Sequence, residues 1–188
     1  FIPTIIFDLD FEHTSRFSSI AHSIICFVGS ILFLLNGLSI ELFRHIVVYN
    51  IIYILTDIFL YLTKRISNKD INEMLIHHIC FLIATTGSIQ QPVFYAHAIM
   101  SEGSTIFLNT RWFAIQTYYF ENIRLHTLLF AITFFIFRII NMTYLLFLLK
   151  NSLYYYFIIP AMPIVVLNYI WFYKLSKKLI KSYVIING

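Results

Sequence analysis

Charge is scarce in this sequence: Asp, Glu, Lys and Arg together make up 12% of 188 residues, against 60% apolar. That balance, with a mean hydropathy of +0.81, excludes an ordinary soluble domain, which could not hide so much apolar surface, and indicates a polytopic membrane protein. Five glycines and no Gly-rich run exclude a phosphate-binding loop. Two cysteines, Cys26 and Cys80, both inside hydrophobic segments, exclude a disulfide framework and a cysteine metal cluster, and behave as small hydrophobes. There is no Gly-x-Ser-x-Gly nucleophile elbow. Nor is there a basic run interleaved with aromatics outside the hydrophobic segments, so a nucleic-acid partner is excluded and the +4 net charge belongs to loop topology. The chain opens on Phe1 rather than Met, which implies residues upstream.

What is present is a succession of apolar segments near the roughly 20 residues needed to cross a bilayer. Six spans are expected: Phe17 to Leu38, Phe43 to Thr63, Ile71 to Ile89, Val93 to Phe113, Ile123 to Leu149 and Tyr154 to Leu175. Residues 1–13 read as an interfacial or extended lead-in. Pro92 suits the first turn of the fourth span, where its missing N–H costs nothing, whereas Pro160 and Pro163 should kink the sixth. The predicted fold is all-α, one domain over residues 1–188, a six-helix transmembrane bundle enclosing a lipid cavity. With six crossings, Arg16, Lys64, Arg65, Lys69, Arg124, Lys174, Lys177, Lys178 and Lys181 fall on one side and only Arg44 and Lys150 on the other. The positive-inside bias then puts both termini in the cytosol.

Polar groups inside such spans are costly, about 2.5–3.5 kcal/mol per central charge on an insertion scale, and mark functional sites. In the third span His77 and His78 lie about 10 Å from the cytosolic end at 1.5 Å per residue. Neighbours on a helix diverge by about 100°. The face through His77 (Asp70, Glu73, Ala84, Ser88) is smaller and more polar than the face through His78 (Ile71, Leu75, Leu82, Thr85). His77 is therefore expected to be the reactive group and His78 its support, the alternative being a pair that merely hydrogen-bonds a neighbouring helix. The second span offers a stripe of Asn50, Tyr53, Asp57, Tyr61 and Lys64. Asp57 reaches the depth of the histidines, where a carboxylate would fix an imidazole's tautomer and balance its cation; the alternative is a pairing with Lys64 or Arg65. In the fourth span Tyr95, Glu102, Thr105 and Asn109 share a face, with Ser101, Ser104 and Arg111 beside it. Glu102 matches Arg138 of the fifth span in depth, with Asn141 one turn on, and the two charges are expected to pair either as a brace or in contact with substrate. Arg111 and Trp112 sit at interfacial depth, where arginine snorkels or grips an anionic headgroup. Asn168 and Trp171 read as packing or rim positions. Adjacent histidines diverge too far to chelate, so no metal is expected.

Three of these features together carry a resemblance: Asp57, the pair His77-His78, and the run Ser101-Glu102-x-Ser104-Thr105-x-Phe107-x-Asn109-x-Arg111-Trp112-Phe113. The chain resembles the TLC-domain family, named for the translocating-chain-associating membrane protein, the Lag proteins (ceramide synthases) and a neuronal ceroid lipofuscinosis protein. The run is most similar to the branch called TLC-domain-containing proteins. The resemblance implies a helical bundle around an acyl-chain cavity. In ceramide synthases it implies acyl transfer from acyl-CoA to a sphingoid amine, with the His pair catalytic. Their long motif ends in His-Asp with further acids, whereas residues 98–105 here hold a single acid and no His-Asp, which departs from a sphingoid substrate.

The sequence therefore points to a membrane acyltransferase of lipid metabolism, in the endoplasmic reticulum or another endomembrane. His77, His78 and Asp57 are its expected catalytic residues; Glu102, Ser104, Thr105, Asn109, Arg111, Arg138 and Asn141 are its expected substrate-binding residues. No cofactor is expected, with acyl-CoA as co-substrate and a membrane lipid as acceptor. The alternatives are a non-catalytic lipid-binding or trafficking protein and a proton-coupled transporter using Asp57, His77, Glu102 and Arg138 as a relay.

Overall fold

The computed structural model describes residues 2–63, 71–88, 91–116 and 120–187, with side chains over 12–63, 71–84, 91–116 and 123–180. The polar turn at residues 64–70, with Lys64, Arg65, Lys69 and Asp70, lies outside them, as do the side chains of Thr85 and Ser88.

The chain is all helix: α1 (Ile2–Leu34), α2 (Ile40–Leu62), α3 (Ile71–Ser88), α4 (Pro92–Ile99), α5 (Gly103–Gln116), α6 (Phe120–Phe134), α7 (Asn141–Lys150) and α8 (Ile158–Asn187). Short 3-10 turns at Met100–Glu102 and Tyr155–Phe157 lead into α5 and α8, and a π-helical turn at Phe135–Ile140 joins α6 to α7. The segment expected as an interfacial or extended lead-in is helical from Ile2 onward. After α1, Asn36 adopts a left-handed backbone (φ 59°) and the Gly37 N–H bonds to the Leu32 carbonyl at 2.7 Å. This closes the α1–α2 turn in the way asparagine tolerates best among residues with a Cβ. Ser39 caps α2 by accepting from the Leu42 N–H.

The six-span expectation is overturned. Among the described residues four helices are long and apolar enough to cross a membrane, Glu12–Leu34, Ile40–Leu62, Ile123–Lys150 and Tyr155–Ile180. The reason is length and continuity rather than hydropathy. Helix α3, Ile71–Ser88, has 18 residues, about 27 Å at 1.5 Å per residue, under a hydrocarbon core of about 30 Å. The predicted fourth span is broken at Met100–Glu102 into the short helices α4 and α5. These shorter helices pack among the long ones: α3 on α8 and α2, and α4–α5 between α1 and α6–α7. Pro160 falls in the first turn of α8, which continues through Pro163.

The apolar core joins α2, α3, α4, α7 and α8 through Phe43, Ile54, Phe81, Tyr95, Ile99, Met142, Leu145 and Ile164, with Cys26 from α1. Among the described residues Phe81, Ala98, Met142, Leu149, Phe157 and Ala161 border an apolar hollow of about 30 Å³.

Candidate functional site

The buried polar side chains gather on the inner faces of α1, α2, α3, α5 and the π turn. On α2, one turn before its end, Asp57 Oδ2 lies 3.3 Å from His78 Nδ1, with both side chains largely buried. The alignment is short of a hydrogen bond, and His78 Nδ1 has no other partner among the described residues. The Tyr61 ring lies 6.0 Å from that of His78. The carboxylate thus meets the second histidine of the pair.

His77, 6% exposed, is surrounded by rings. Its centroid is 5.6 Å from His78, 6.2 Å from Phe81 and 5.3 Å from Trp171, the last nearly edge-on. Its Nδ1 has no hydrogen-bond partner among the described residues. Phe81, one helical turn after His77, also walls the apolar hollow.

Arg138 is held in the π turn. A π turn inserts a residue into the helical ladder, and such turns recur where a side chain must be re-aimed. Arg138 Nε donates to Ser104 Oγ at 2.8 Å, Nη2 to Thr105 Oγ1 at 3.0 Å and Nη1 to Asn168 Oδ1 at 3.5 Å. Glu102 Oε1 stands 4.0 Å from Nη2, and Ser23 Oγ donates to Glu102 Oε2 at 3.3 Å. The expected pairing of Glu102 with Arg138 is present, but three neutral acceptors take most of the guanidinium's donors. A buried charge leaves few donors unpaired because each orphan is costly. The arrangement is a brace linking α1, α5, the π turn and α8.

The other predicted residues lie apart. Asn109 Nδ2 donates to Ser19 Oγ at 2.9 Å and its Oδ1 accepts from Arg16 Nη1 at 3.2 Å. Arg16 also lies over the Trp112 ring. Arg111 Nε donates to Thr127 Oγ1 at 2.8 Å, on the α6 side of the same helix. Asn141 bonds the His97 carbonyl at 2.7 Å and pairs with His97 Nδ1 at 2.8 Å. The structure therefore brings together Asp57 with His78 and His77, and Glu102 with Ser104, Thr105 and Arg138. Asn109, Arg111 and Asn141 stay with separate helix contacts.

One cluster escaped the sequence reading. His22, 1% exposed, stacks on Tyr53 at 3.7 Å. Its Nε2 lies 3.0 Å from Asn50 Oδ1 and 3.3 Å from Cys26 Sγ, and Asn50 Nδ2 donates to the Tyr95 hydroxyl at 2.9 Å. Since Asn50 offers its oxygen to His22, the imidazole donates from Nε2, and Nδ1 carries the free lone pair. A signal was available: Ser19, His22, Ser23, Cys26 and Ser30 recur at three- and four-residue intervals within an apolar segment, which places them on one helix face.

No curated protein and no solved structure matches the chain significantly. The family model of the TLC domain (TRAM, LAG1 and CLN8) matches residues 12–177, which span α1 through most of α8 and include every group described above. On that match this membrane protein belongs to the TLC-domain family.

Proposed function

We propose that the protein is a lipid acyltransferase in which Asp57, His78 and His77 form the reacting group. The observation that carries this reading is the approach of Asp57 to His78 at 3.3 Å, with His77 alongside and all three side chains largely buried. A carboxylate against one ring nitrogen keeps the other available as a base and offsets the charge that appears on proton uptake. The acceptor's amine or hydroxyl attacks the carbonyl carbon of an acyl thioester as the histidines take its proton. The carbon–sulfur bond breaks, and the same proton passes to the departing thiolate, so neither histidine is consumed. His77, beside the Phe81 wall of the apolar hollow, faces the acyl carbon. Met142, a flexible side chain in the lining of that hollow, can turn aside for an acyl tail.

The donor is acyl-CoA, reaching the histidines from the end of the bundle that carries Arg16 and Lys174. The positive-inside rule supports a cytosolic position for that end, and the reading carries an endomembrane location with it. The run from Ser101 to Phe113 and the missing His-Asp pair support the branch of TLC-domain-containing proteins, with an acceptor other than a sphingoid base. Glu102, Ser104, Thr105 and Arg138 then act mainly by holding α5 in place beside the reacting group.

The test is acyl transfer by the purified protein in lipid nanodiscs, supplied with acyl-CoA and a mixed lipid extract and read by lipid mass spectrometry. Transfer that disappears in His78→Ala and His77→Ala supports the proposal. A lipid that co-purifies without covalent change, equally in wild type and variants, overturns it in favour of lipid binding. Neither product nor bound lipid, with proton flux across the membrane, overturns it in favour of transport.

A further inference from the structure

Nothing polar among the described residues fixes the His77 ring. Its Nδ1 is unbonded there, and its close neighbours are the rings of His78, Phe81 and Trp171. A group that must present a lone pair to a reacting atom needs a fixed aim, and errors near 1 Å are costly. Here the aim has to come from packing.

Of those three rings, Trp171 is held by a side-chain hydrogen bond. Its Nε1 donates to Glu73 Oε2 at 2.6 Å, a short, charge-assisted bond. Lys174 Nζ donates to both oxygens of the same carboxylate, at 2.8 and 3.1 Å. Glu73 lies one turn before His77 on α3, and Lys174 lies three residues after Trp171 on α8. Glu73, Trp171 and His77 close a loop between two helices: carboxylate to indole, indole to imidazole, then one helical turn back to the carboxylate.

From this geometry we propose that Trp171, held by Glu73 and Lys174, is a positioning residue for His77. The inference rests on the reading of His77 as part of the acyl-transfer site and adds to it how that side chain is aimed. The charged and titratable groups around His77 are His78 and Glu73 on α3, Lys174 on α8 and Arg138 in the π turn, with Asp57 of α2 behind His78.

Two readouts test this on the full chain in nanodiscs. The chain has two tryptophans, so Trp112→Phe leaves Trp171 as the sole indole, and an imidazolium in contact quenches indole fluorescence. A pH-dependent quenching step is expected that vanishes with His77→Ala and loses most of its amplitude with Glu73→Ala. In acyl-transfer assays Trp171→Phe, which keeps a ring but not the N–H, is expected to lower kcat about 10- to 100-fold with little change in KM. Glu73→Gln, whose amide oxygen still accepts from the indole, should recover part of what Glu73→Ala loses. If the His77-dependent quenching is unchanged in Glu73→Ala, or Trp171→Phe keeps full kcat, the positioning role is overturned. If the wild type transfers no acyl group, the acyltransferase reading falls by itself. The quenching step then decides alone whether Trp171 sets the His77 ring.

Discussion

Asp57 separates a catalytic histidine pair from a structural one. Replacing it with Asn keeps the shape and removes the charge 3.3 Å from His78. In an acyltransferase, Asp57→Asn should lower kcat on the order of 100-fold, as loss of a positioned acid–base partner does, while thermal unfolding of the purified protein changes little. Full activity in this variant would remove Asp57 from the mechanism. The sequence made the residue types legible, because a carboxylate and two imidazoles inside apolar segments are expensive. It could not say which histidine meets the carboxylate. Both lie near the right depth, and the choice depends on how α2 and α3 rotate against each other. His22 was missed for a related reason: serine and cysteine at helical spacing look apolar on a hydropathy average, although they mark one face of α1. Asn109 gives a second residue-scale prediction. Asn109→Ala would leave Ser19 and Arg16 without their shared partner at the α1–α5 contact, a loss of about 1–3 kcal/mol for part-buried polar groups, visible as a lower unfolding temperature. An unchanged midpoint would show that water replaces the amide there.

Helix phase is where hydropathy carries least information. The predicted fourth span assumed one continuous helix, which would put Tyr95, Glu102, Thr105 and Asn109 on a single face. The 3-10 turn at Met100–Glu102 resets that phase. Tyr95 therefore faces Asn50 of α2, Thr105 faces Arg138, and Asn109 faces Ser19 of α1. Gly103, the first residue of α5, makes this geometry possible. A Cβ there would stand 2.6 and 2.7 Å from ring carbons of Phe27, a ring already edge-on to Phe137 at 4.8 Å. Gly103→Ala should therefore cost about 1–3 kcal/mol by overpacking and lower the unfolding midpoint; an unshifted midpoint would mean that Phe27 turns aside freely. The α3–α8 contact makes a pH prediction at the same scale. Lys174 first, and the Trp171 N–H second, hold the Glu73 carboxyl below its usual value of 4.5. A lowered acid keeps its contact at and above the usual value and loses it as pH falls through the lowered one. In a protein carrying Trp112→Phe and His77→Ala, Trp171 fluorescence should stay constant down to about pH 4.5 and change only below it. A transition centred above that value would contradict the assigned contact.

Helix direction across the whole bundle is fixed by contacts at its two ends. At one end Phe43, in the first turn of α2, meets Tyr95 of α4 edge-on, and Gln91 Nε2 donates to the Tyr154 hydroxyl just before α8. At the other end Glu73 meets Lys174, and Arg16 meets Asn109. The α1–α2 turn and the α7–α8 turn therefore share one end, and the basic residues Arg16 and Lys174 share the opposite one. Composition read the class correctly, because no soluble core accommodates a chain 60% apolar. The number of long crossings was not legible, since an interior helix sheltered by its neighbours is as apolar as one that faces lipid, and only its length and breaks reveal the difference. Single cysteines introduced on a Cys80→Ser background, with Cys26 left buried, test the shared ends in sealed vesicles. A membrane-impermeant thiol reagent should label Ser39→Cys and Asn151→Cys from the same face, and Ser176→Cys from the other. Labelling of positions 39 and 151 from opposite faces would break the antiparallel order of α1, α2, α7 and α8. It would also remove the common basic end from which an acyl-CoA is proposed to approach His77 and His78.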